Sequence, residues 1–454
     1  ALAAELAQSA TQAATSPAQP PTTPVQAVPQ IQWQEIEGFK RFSESKIWEL
    51  QRRFFEEKGA EAWTEGIVPH YITSNAYIAR TYARMATAFL NAQTEAPVFV
   101  ELGAGSGQFS FHFLKALQKA APEAEFTYVI TDFTESNLDF CRAHPALEPF
   151  VKADVLKMAH FDMCAPTSLP GLERPRPIFL IANYLFDSIP QDLFAVHEGE
   201  VYSTEARLLS DAPEPNVDHP DLLKALRFEY QERRLEAEFY AESYLNRVLE
   251  RYAREYYHAE ILFPFQGIKA LQWFLKQSDG NLMLLSSDKG YVTADEVAHR
   301  RYPGLVMHGS FSLPVNYHAM GWYAAEMQGQ LLVPAHTGDS IQTCGFVWGN
   351  DAQKSQLAIA FEEYADDFGP DDFFALKRSV EENMGRFRLE SLIAYLRLCD
   401  YDPKALLRSM PHIRKKVGDM NNDLRTKFHA VVQRVLENDY GLKGSTDWGM
   451  VIGK

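Results

Sequence analysis

The sequence has few cysteines and no long apolar run, and each absence excludes a class of protein. The chain has 454 residues but only four cysteines, which are widely separated and form no C-x-x-C pair. Scattered cysteines of this kind are typical of reduced thiols, so we expect no disulfide framework and a cytoplasmic protein. No apolar run approaches the roughly 18 residues that a membrane-spanning helix needs, which argues against membrane insertion.

Positive charge is also in deficit. Lys and Arg number 44 against 60 Asp and Glu, which gives a formal net charge of −16 at pH 7. A surface of that sign repels phosphate groups, so we expect no nucleic-acid partner, whereas a cationic protein segment would be attracted. The His, Cys and Asp residues show no spacing typical of a metal site, and we predict no metal.

The hydrophobic pattern changes several times along the chain. Residues 1–30 are rich in Ala, Pro, Gln and Thr and predict a disordered linker or tail, whereas residues 31–95 predict an N-terminal helical segment. Within that segment a helix is expected to begin after Ser74 or Asn75. In residues 96–215 short apolar runs alternate with helical patterns, which predicts parallel strands joined by helices, with the third strand at residues 150–153.

The later part of the chain predicts additions to that core. Residues 216–275 predict a helical insertion after the fourth strand, suited to a lid, a substrate platform or a homodimer interface. Residues 276–350 predict the rest of the sheet, and residues 351–454 a C-terminal helical domain. The predicted fold class is therefore α/β, with a Rossmann-like sheet that carries helices on both faces.

A glycine-rich loop follows the first predicted strand of the core. It reads Glu101-Leu102-Gly103-Ala104-Gly105-Ser106-Gly107, and a predicted helix begins directly after it. Glycines let the backbone turn sharply beside a ligand, and the helix N-terminus offers unpaired N–H groups there. The spacing G-x-G-x-G differs from the G-x-G-x-x-G of dinucleotide folds, and no G-K-[ST] follows, which disfavours NAD, FAD and a P-loop.

The loop resembles motif I of class I methyltransferases, E/D-x-G-x-G-x-G. This resemblance implies S-adenosylmethionine as the cofactor, held by Glu101, Gly103, Ala104, Gly105 and Gly107. It further implies an acid on the ribose hydroxyls at the end of the second strand and an acid near the adenine amino group at the end of the third. Asp132 and Asp154 are the residues expected in those two places.

The fourth predicted strand ends in a second motif, N-Y-L-F-D-S-I-P at residues 183–190. It resembles the N-E-x-F-D-A-L-P motif of the MidA-like methyltransferases, a family that includes a mitochondrial complex I assembly enzyme that methylates an arginine. The segment S-D-K-G-Y at residues 287–291 is similar to the D-Y-G strand end of that family. The resemblance covers roughly residues 64–323.

Three residues of this motif are the expected catalytic residues. The resemblance places the strand end opposite the reactive methyl group, where Asn183 would contact the cofactor and orient the acceptor nitrogen. Tyr184 could face a cation through its ring, and Asp187 could pair with one. Tyr184 stands where the family has Glu, so the group best suited to hold a guanidinium is missing.

These patterns predict a methyltransferase that uses S-adenosylmethionine. The expected acceptor is a nitrogen on a protein side chain, with lysine favoured over arginine. Two alternatives stay open at this point: a small-molecule methyltransferase whose insertion covers an apolar pocket, and a non-catalytic assembly or scaffold protein that retains the fold. The complete glycine loop argues against the scaffold.

Overall fold

The structure is a computed structural model that describes residues 33–64, 72–304, 306–308, 310–336, 341–416, 418 and 420–441. The predicted tail at residues 1–30 lies outside the described residues, as does the end of the predicted C-terminal domain. The strands are β1 (Gln34–Arg41), β2 (Val98–Leu102), β3 (Thr127–Asp132), β4 (Leu156–His160), β5 (Ile178–Asn183), β6 (Asp192–His197), β7 (Glu200–Ser210), β8 (Leu226–Arg234), β9 (His258–Phe263), β10 (Leu282–Asp288), β11 (Gly290–Tyr291), β12 (Val306–His308), β13 (Ser310–Ser312), β14 (Val315–Asn316), β15 (Gln330–Leu332) and β16 (Gln342–Val347).

Helices alternate with these strands and then continue alone to the end of the described chain. The α-helices are α1 (Lys46–Lys58), α2 (Glu61–Thr64), α3 (Ala76–Asn91), α4 (Gln108–Ala120), α5 (Glu135–Ala143), α6 (Glu148–Lys152), α7 (Ser243–Glu255), α8 (Phe265–Gln277), α9 (Ala294–Ala298), α10 (Tyr317–Glu326), α11 (Asp351–Phe361), α12 (Pro370–Asn383), α13 (Leu389–Leu398), α14 (Pro403–Arg414) and α15 (Asn422–Glu437). Asn75 is the N-cap of α3, as the sequence predicts, because its side chain accepts the N–H groups of Tyr77 and Ile78.

The main sheet has seven strands in the order β15-β16-β10-β5-β2-β3-β4. The strands β10, β5, β2, β3 and β4 run parallel, whereas β16 lies antiparallel between β10 and β15. This arrangement confirms the predicted α/β fold class. The order reverses between β2 and β5, and an open α/β sheet binds its ligand beyond the strand ends at such a point.

The sheet has a hydrophobic core on each face. Along β2 the side chain of Phe99 packs with α3, α4 and the C-terminal helices, whereas Val98 and Val100 pack with α8 and α10 on the other face. This alternation follows from the period of two of a β-strand. The core that contains Phe99 extends into α13, α14 and α15, so the C-terminal helices share a core with the sheet.

The predicted third strand is wrong. Residues 150–153 lie in and just after helix α6, which has Pro149 in its first turn and ends at Lys152. The strand is β4, which begins at Leu156 and pairs with β3 alone. Because β4 is the edge strand of the sheet, its sequence Leu-Lys-Met-Ala-His is only half apolar, and its signal in the sequence is weak.

The predicted insertion is present, but only part of it is helical. The predicted residues 216–275 contain strand β8, helix α7, strand β9 and most of helix α8. Together with β1, β6 and β7 these strands form a second sheet, which is antiparallel. The N-terminal segment, predicted as helical, accordingly begins with a strand of this sheet. The hairpin of β6 and β7 turns at Glu198 and Gly199, both with positive φ.

An ion pair between the partly exposed Arg41 and the buried Asp192 holds β1 against the hairpin of the second sheet. The Nε of Arg41 lies 2.9 Å from Oδ1 of Asp192, a residue that is almost fully buried. The Tyr240 hydroxyl also donates to Asp192, at 2.6 Å, and the guanidinium lies over the Phe239 ring at 4.6 Å from its centroid. The pair is therefore hydrogen-bonded and enclosed by aromatic rings.

Removal of Arg41 should destabilise the protein strongly, because it leaves the Asp192 carboxylate buried without its cation. We expect Arg41→Ala to lower the free energy of unfolding by about 3 kcal/mol or more, measured by urea unfolding. The matched control is Arg233→Ala, which breaks an exposed pair with Glu205 and should cost no more than about 0.5 kcal/mol. Equal losses in the two variants would contradict this role of the ion pair.

Candidate active site

A cavity of about 330 Å³ lies beyond the carboxyl ends of β2, β3, β4 and β5, where the strand order reverses. Helix α1 forms its outer wall. The residues that line the cavity are Trp48, Glu49, Gln51, Arg52, Phe55, Gly103, Asp132, Phe133, Asp162, Cys164, Tyr184, Leu185, Ser188, Ile189 and Pro190. The cavity is thus bounded by the glycine loop on one side and by the motif after β5 on the other.

The glycine loop adopts a backbone that only glycine accommodates without strain. Gly103, Gly105 and Gly107 have φ values of +65°, +55° and +72°, in the left-handed region. A Cβ atom at Gly103 would lie 3.1 Å from the Leu185 side chain, and one at Gly107 would lie 2.8 Å from Sγ of Cys141. Gly107 is also the N-cap of α4, so the N-terminus of that helix follows the loop directly.

Asp132 braces this loop from the end of β3. Its Oδ2 accepts the Gly105 N–H at 3.0 Å and the Asn137 amide at 3.1 Å. Its Oδ1 accepts the Thr134 N–H at 2.9 Å and hydroxyl at 2.8 Å. Burial raises the pKa of Asp132 despite these donors. Asp132 lines the cavity as the sequence predicts, but a carboxylate has about four acceptor positions and all are in use, so the ribose contact stays a prediction.

Glu101 lies behind the loop and not in the cavity wall. Its Oε2 accepts the Tyr128 hydroxyl at 2.6 Å and also the Ser110 hydroxyl. Burial raises the pKa of Glu101 to about 7, and the neighbouring Asp132 charge adds to the rise. The side chain therefore ties the end of β2 to α4 and β3. Its predicted contact with the cofactor, like that of Ala104, stays a prediction.

Asn183 offers an unused hydrogen-bond donor at the end of β5. Its Oδ1 accepts the Tyr82 hydroxyl at 2.9 Å and the Ser287 N–H at 3.0 Å, which fixes the orientation of the amide. Its Nδ2 is buried and has no partner. A buried donor without a partner is costly, so this atom points to a ligand. The adjacent Tyr184 lines the cavity with a φ of +52°, an uncommon conformation for an aromatic residue.

Asp187 lies beneath the cavity and does not face it. Its neighbour Ser188 lines the cavity and donates its hydroxyl to Oδ1 of Asp187 at 2.7 Å. The Asp187 N–H donates to Oδ2 of Asp288, which ends β10. A cation in the cavity would therefore meet Ser188 before the Asp187 carboxylate, and the predicted direct ion pair lacks support from this geometry.

The expectation that Asp154 ends the third strand is wrong. Asp154 precedes β4, has a φ of +61°, and is exposed beside Lys157. It therefore lies at the amino ends of the parallel strands, whereas the glycine loop follows the carboxyl end of β2. Asp162, two residues after β4, lines the cavity instead. The missed signal was the alternative strand at residues 156–160, which moves the strand end from Ala153 to His160.

Sequence reasoning also missed the lid that α1 forms over the cavity. Arg52 donates to Oδ2 of Asp162 at 2.6 Å, and its guanidinium carbon lies 4.7 Å from the centroid of the Phe133 ring. Phe133 follows Asp132 directly, so the lid contacts the end of β3. No local signal in the sequence links residue 52 to residues 133 and 162, because the contact is made only by the fold.

The C-terminal helices contact the glycine loop from outside. The Tyr440 hydroxyl donates to the Ser106 carbonyl at 2.6 Å, and its ring stacks on His144 with centroids 3.8 Å apart. On α4, Lys115 donates to Oδ1 of Asn438 at 2.9 Å. The loop is therefore closed by residues more than 300 positions later in the chain.

Part of the chain matches a known protein family. Residues 77–296, which include the glycine loop and the motif after β5, match a family described as "Putative S-adenosyl-L-methionine-dependent methyltransferase". The protein is a class I S-adenosylmethionine-dependent methyltransferase. The resemblance to the MidA-like family is consistent with this match. No curated protein matches the chain.

Two similar solved structures come from Burkholderia thailandensis. The first, of an uncharacterised protein, is 17% identical, covers 68% of this chain and 87% of its own, and has a TM-score of 0.42. The second, with S-adenosylhomocysteine bound, is 15% identical, covers 66% and 93%, and has a TM-score of 0.40. A magnesium protoporphyrin IX methyltransferase from Synechocystis is 8% identical over 66% and 99%, with a TM-score of 0.32. These values carry no argument about the acceptor.

The residues around the cavity fit the cofactor of such an enzyme. S-adenosylmethionine carries a carboxylate, hydroxyls and a base, and the site offers a helix N-terminus, the Asn183 amide and the ring of Phe133. In the described part of the chain, no group of three or more His, Cys, Asp and Glu side chains is arranged to hold a metal ion.

Substitution of Asp132 should weaken cofactor binding, because Asp132→Asn replaces one acceptor oxygen by a donor and frees the Gly105 N–H. We expect S-adenosylmethionine to bind about 10- to 150-fold more weakly, equivalent to roughly 1.5–3 kcal/mol, in calorimetry. Asp139→Asn, at an exposed position of α5, is the control and should bind normally. An unchanged affinity in a folded Asp132→Asn protein would mean that the hydrogen bonds of Asp132 to the loop are not needed for cofactor binding.

Tyr440→Phe removes a single hydroxyl and tests the contact of the C-terminal helices with the loop. The loss of the hydrogen bond to Ser106 should weaken S-adenosylmethionine binding about fivefold, for about 1 kcal/mol. Tyr395→Phe also removes a C-terminal hydroxyl, which donates to Glu381 far from the loop, and should leave the affinity unchanged. If both variants bind like the wild type, the contact does not shape the cofactor site.

Proposed function

We propose that the enzyme methylates a nitrogen on a protein side chain, with lysine favoured over arginine. The observation that carries this proposal is the charge of the cavity. Its lining includes three carboxylates, Glu49, Asp132 and Asp162, against one guanidinium, Arg52. Arg52 is paired with Asp162, and Glu49 is paired with Arg53 outside the lining, so the negative charge that remains is that of Asp132, which favours a cationic acceptor. The net charge of −16 extends the same sign over the protein as a whole.

The residue after β5 favours lysine over arginine. Tyr184 lines the cavity where the MidA-like motif has Glu, so this position offers no carboxylate for the two-pronged contact with a guanidinium. An aromatic ring can instead face an ammonium group. A lysine also loses its proton more readily than an arginine does, and burial near a second cation assists that loss.

The chain contributes mainly by position and by exclusion of water. The bound cofactor supplies a methyl group on a sulfonium, ready for in-line displacement. The glycine loop and the N-terminus of α4 hold the ligand, while α1 closes the cavity through Arg52 and Phe133. The Nδ2 of Asn183 is buried without a partner and lies outside the cavity lining, next to Tyr184, and it is a candidate donor to the cofactor.

A small molecule is the second candidate acceptor, because part of the cavity wall is apolar. Trp48, Phe55, Ile189 and Pro190 form this part of the wall. A flat or hydrophobic acceptor could be enclosed there, since ligand pockets are commonly apolar with few polar groups. The third alternative, a non-catalytic scaffold that retains the fold, is excluded because the chain is an enzyme.

The cellular setting belongs to the same proposal. No helix among the described residues is long and apolar enough to cross a bilayer. All four cysteines are free thiols, which supports a cytoplasmic location. We further propose that no nucleic acid is involved. A homodimer through the insertion stays a prediction, now with the second antiparallel sheet and α7 as its surface.

Transfer of a labelled methyl group tests the proposed acceptor. The purified enzyme is incubated with methyl-tritiated S-adenosylmethionine and a cell extract, and the products are separated by size and hydrolysed to amino acids. We expect label in one or a few protein bands and its recovery as methyl-lysine. Label found as methyl-arginine would overturn the lysine preference, and label found only in small molecules would overturn the protein acceptor.

Two arginine variants control this experiment. In Gly103→Arg the side chain projects into the cavity wall beside Leu185, so labelling should be abolished. In Gly304→Arg the same change is made where no atom lies within 4 Å of the new Cβ, so labelling should persist. Equal labelling by both variants would show that the activity belongs to a contaminant.

A further inference from the structure

Two buried carboxyl groups meet beneath the floor of the cavity. Asp288 ends β10, and Asp187 lies in the turn after β5, the parallel neighbour of β10. The Asp187 N–H donates to Oδ2 of Asp288 at 3.2 Å, and the Lys289 N–H donates to Oδ1 at 2.8 Å. Asp187 is 7% exposed and Asp288 is fully buried. Two negative charges in such a place would be costly, so the pair retains a proton.

The surroundings of the pair decide which group holds this proton. Burial and the neighbouring Asp187 charge raise the pKa of Asp288 well above its usual value. Burial also raises the pKa of Asp187, to about 6, while the Ser188 hydroxyl, Asp288 and the Lys289 charge act against the rise. The Tyr317 hydroxyl, on α10, forms a hydrogen bond with the Ser286 hydroxyl. Tyr317 stays neutral because burial raises its pKa as well. Near neutral pH, Asp288 is thus the acid and Asp187 the carboxylate.

Ser188 connects this pair to the cavity. Its hydroxyl donates to Oδ1 of Asp187 at 2.7 Å, and the same residue lines the cavity between Leu185 and Ile189. The other carboxylates of the cavity wall are engaged otherwise. Asp132 accepts four hydrogen bonds, Asp162 is paired with Arg52, and Glu49 is paired with Arg53. Ser188 therefore gives the acceptor a hydrogen-bonded route to a buried base.

We propose that Ser188 and the Asp187–Asp288 pair receive the proton that the methyl acceptor must lose before transfer. This inference rests on the proposed function, since an acceptor ammonium or hydroxyl must be deprotonated to attack. The N–H or O–H bond of the acceptor breaks and its proton passes to Oγ of Ser188. The original hydroxyl proton of Ser188 passes to Oδ1 of Asp187, and Asp288 keeps its own proton. The acceptor retains the electron pair that attacks the methyl group.

The first test follows the carboxyl groups themselves and needs no acceptor. Aspartate labelled with carbon-13 in the side-chain carboxyl is incorporated, and Asp187→Asn and Asp288→Asn assign the two signals by NMR. We expect the Asp187 signal to titrate near pH 6 and the Asp288 signal to stay that of a protonated acid at neutral pH. Titration of both groups near pH 4, as in exposed aspartates, would overturn the proposal.

The second test measures how the rate of methyl transfer depends on pH. The rate is the formation of S-adenosylhomocysteine, and the acceptor is whichever fraction of the extract, protein or small molecules, takes up label. The wild-type rate should fall below about pH 6, because protonated Asp187 is no longer a base. This fall should add to any decrease in rate that protonation of the acceptor itself causes. Asp187→Asn should lose this extra fall and roughly 100-fold or more in rate, with unchanged S-adenosylmethionine affinity. Label in small molecules would overturn the protein acceptor but leave this readout intact.

Variants of Asp288 separate proton transfer from simple packing. Asp288→Ala removes the donor that stabilises the Asp187 carboxylate, so the fall in rate should move to higher pH by about one unit. Asp288→Asn keeps a donor and should restore the wild-type profile. The exposed Asp295→Asn is the control for substitution itself and should leave rate and profile unchanged. A profile that is the same in Asp187→Asn as in the wild type would overturn the proposal.

Discussion

The backbone of the glycine loop depends on one carboxylate. The loop has three positive φ angles within five residues, and its Ala104 N–H donates to the Thr131 carbonyl of β3 while its Gly105 N–H donates to the Asp132 carboxylate. The same carboxylate accepts from Thr134 and Asn137, at the start of α5. One buried side chain therefore fixes the relative positions of two crossover connections. The cavity lies where these connections diverge, so the hydrogen bonds of Asp132, which also lines the cavity, help to set its shape.

A second layer of contacts explains why the chain is longer than its cofactor-binding core. Tyr440 reaches the Ser106 carbonyl, and Asn75 at the start of α3 donates to Asp402 at the start of α14. These bonds join the C-terminal helices to the loop and to the helix that packs under it. Because the hydrophobic core is continuous across the same boundary, the C-terminal helices can bear on cofactor binding without contact with the cofactor.

The sequence predicted those parts of the site that are encoded locally. The glycines, the cap at Asn75 and the strand that ends at Asn183 are all set by neighbouring residues, and each was located correctly. Predictions failed where the signal was tertiary. Edge strand β4 has a weak apolar pattern, which misplaced the acid at the end of the third strand. Strand β8 alternates apolar and charged residues, but its many Glu and Arg residues also suit a helix, and only pairing with β7 decides between the two.

The failure at the third strand also changes the chemistry assigned to the site. With Asp162 in place of Asp154, the acid at this strand end accepts from Arg52 of α1 through Oδ2 and from the Cys164 N–H through Oδ1. The ion pair instead links the edge of the sheet to the helix that covers the cavity. Because both side chains are partly exposed, the ion pair contributes little to stability and costs little free energy to break. Helix α1 itself is anchored by buried Ile47, Leu50 and Phe54, which pack on the second sheet, so only its link to Asp162 and Phe133 is weak. Local opening of this link can admit a ligand, whereas the buried carboxyl pair and the hydrogen-bonded glycine loop stay fixed.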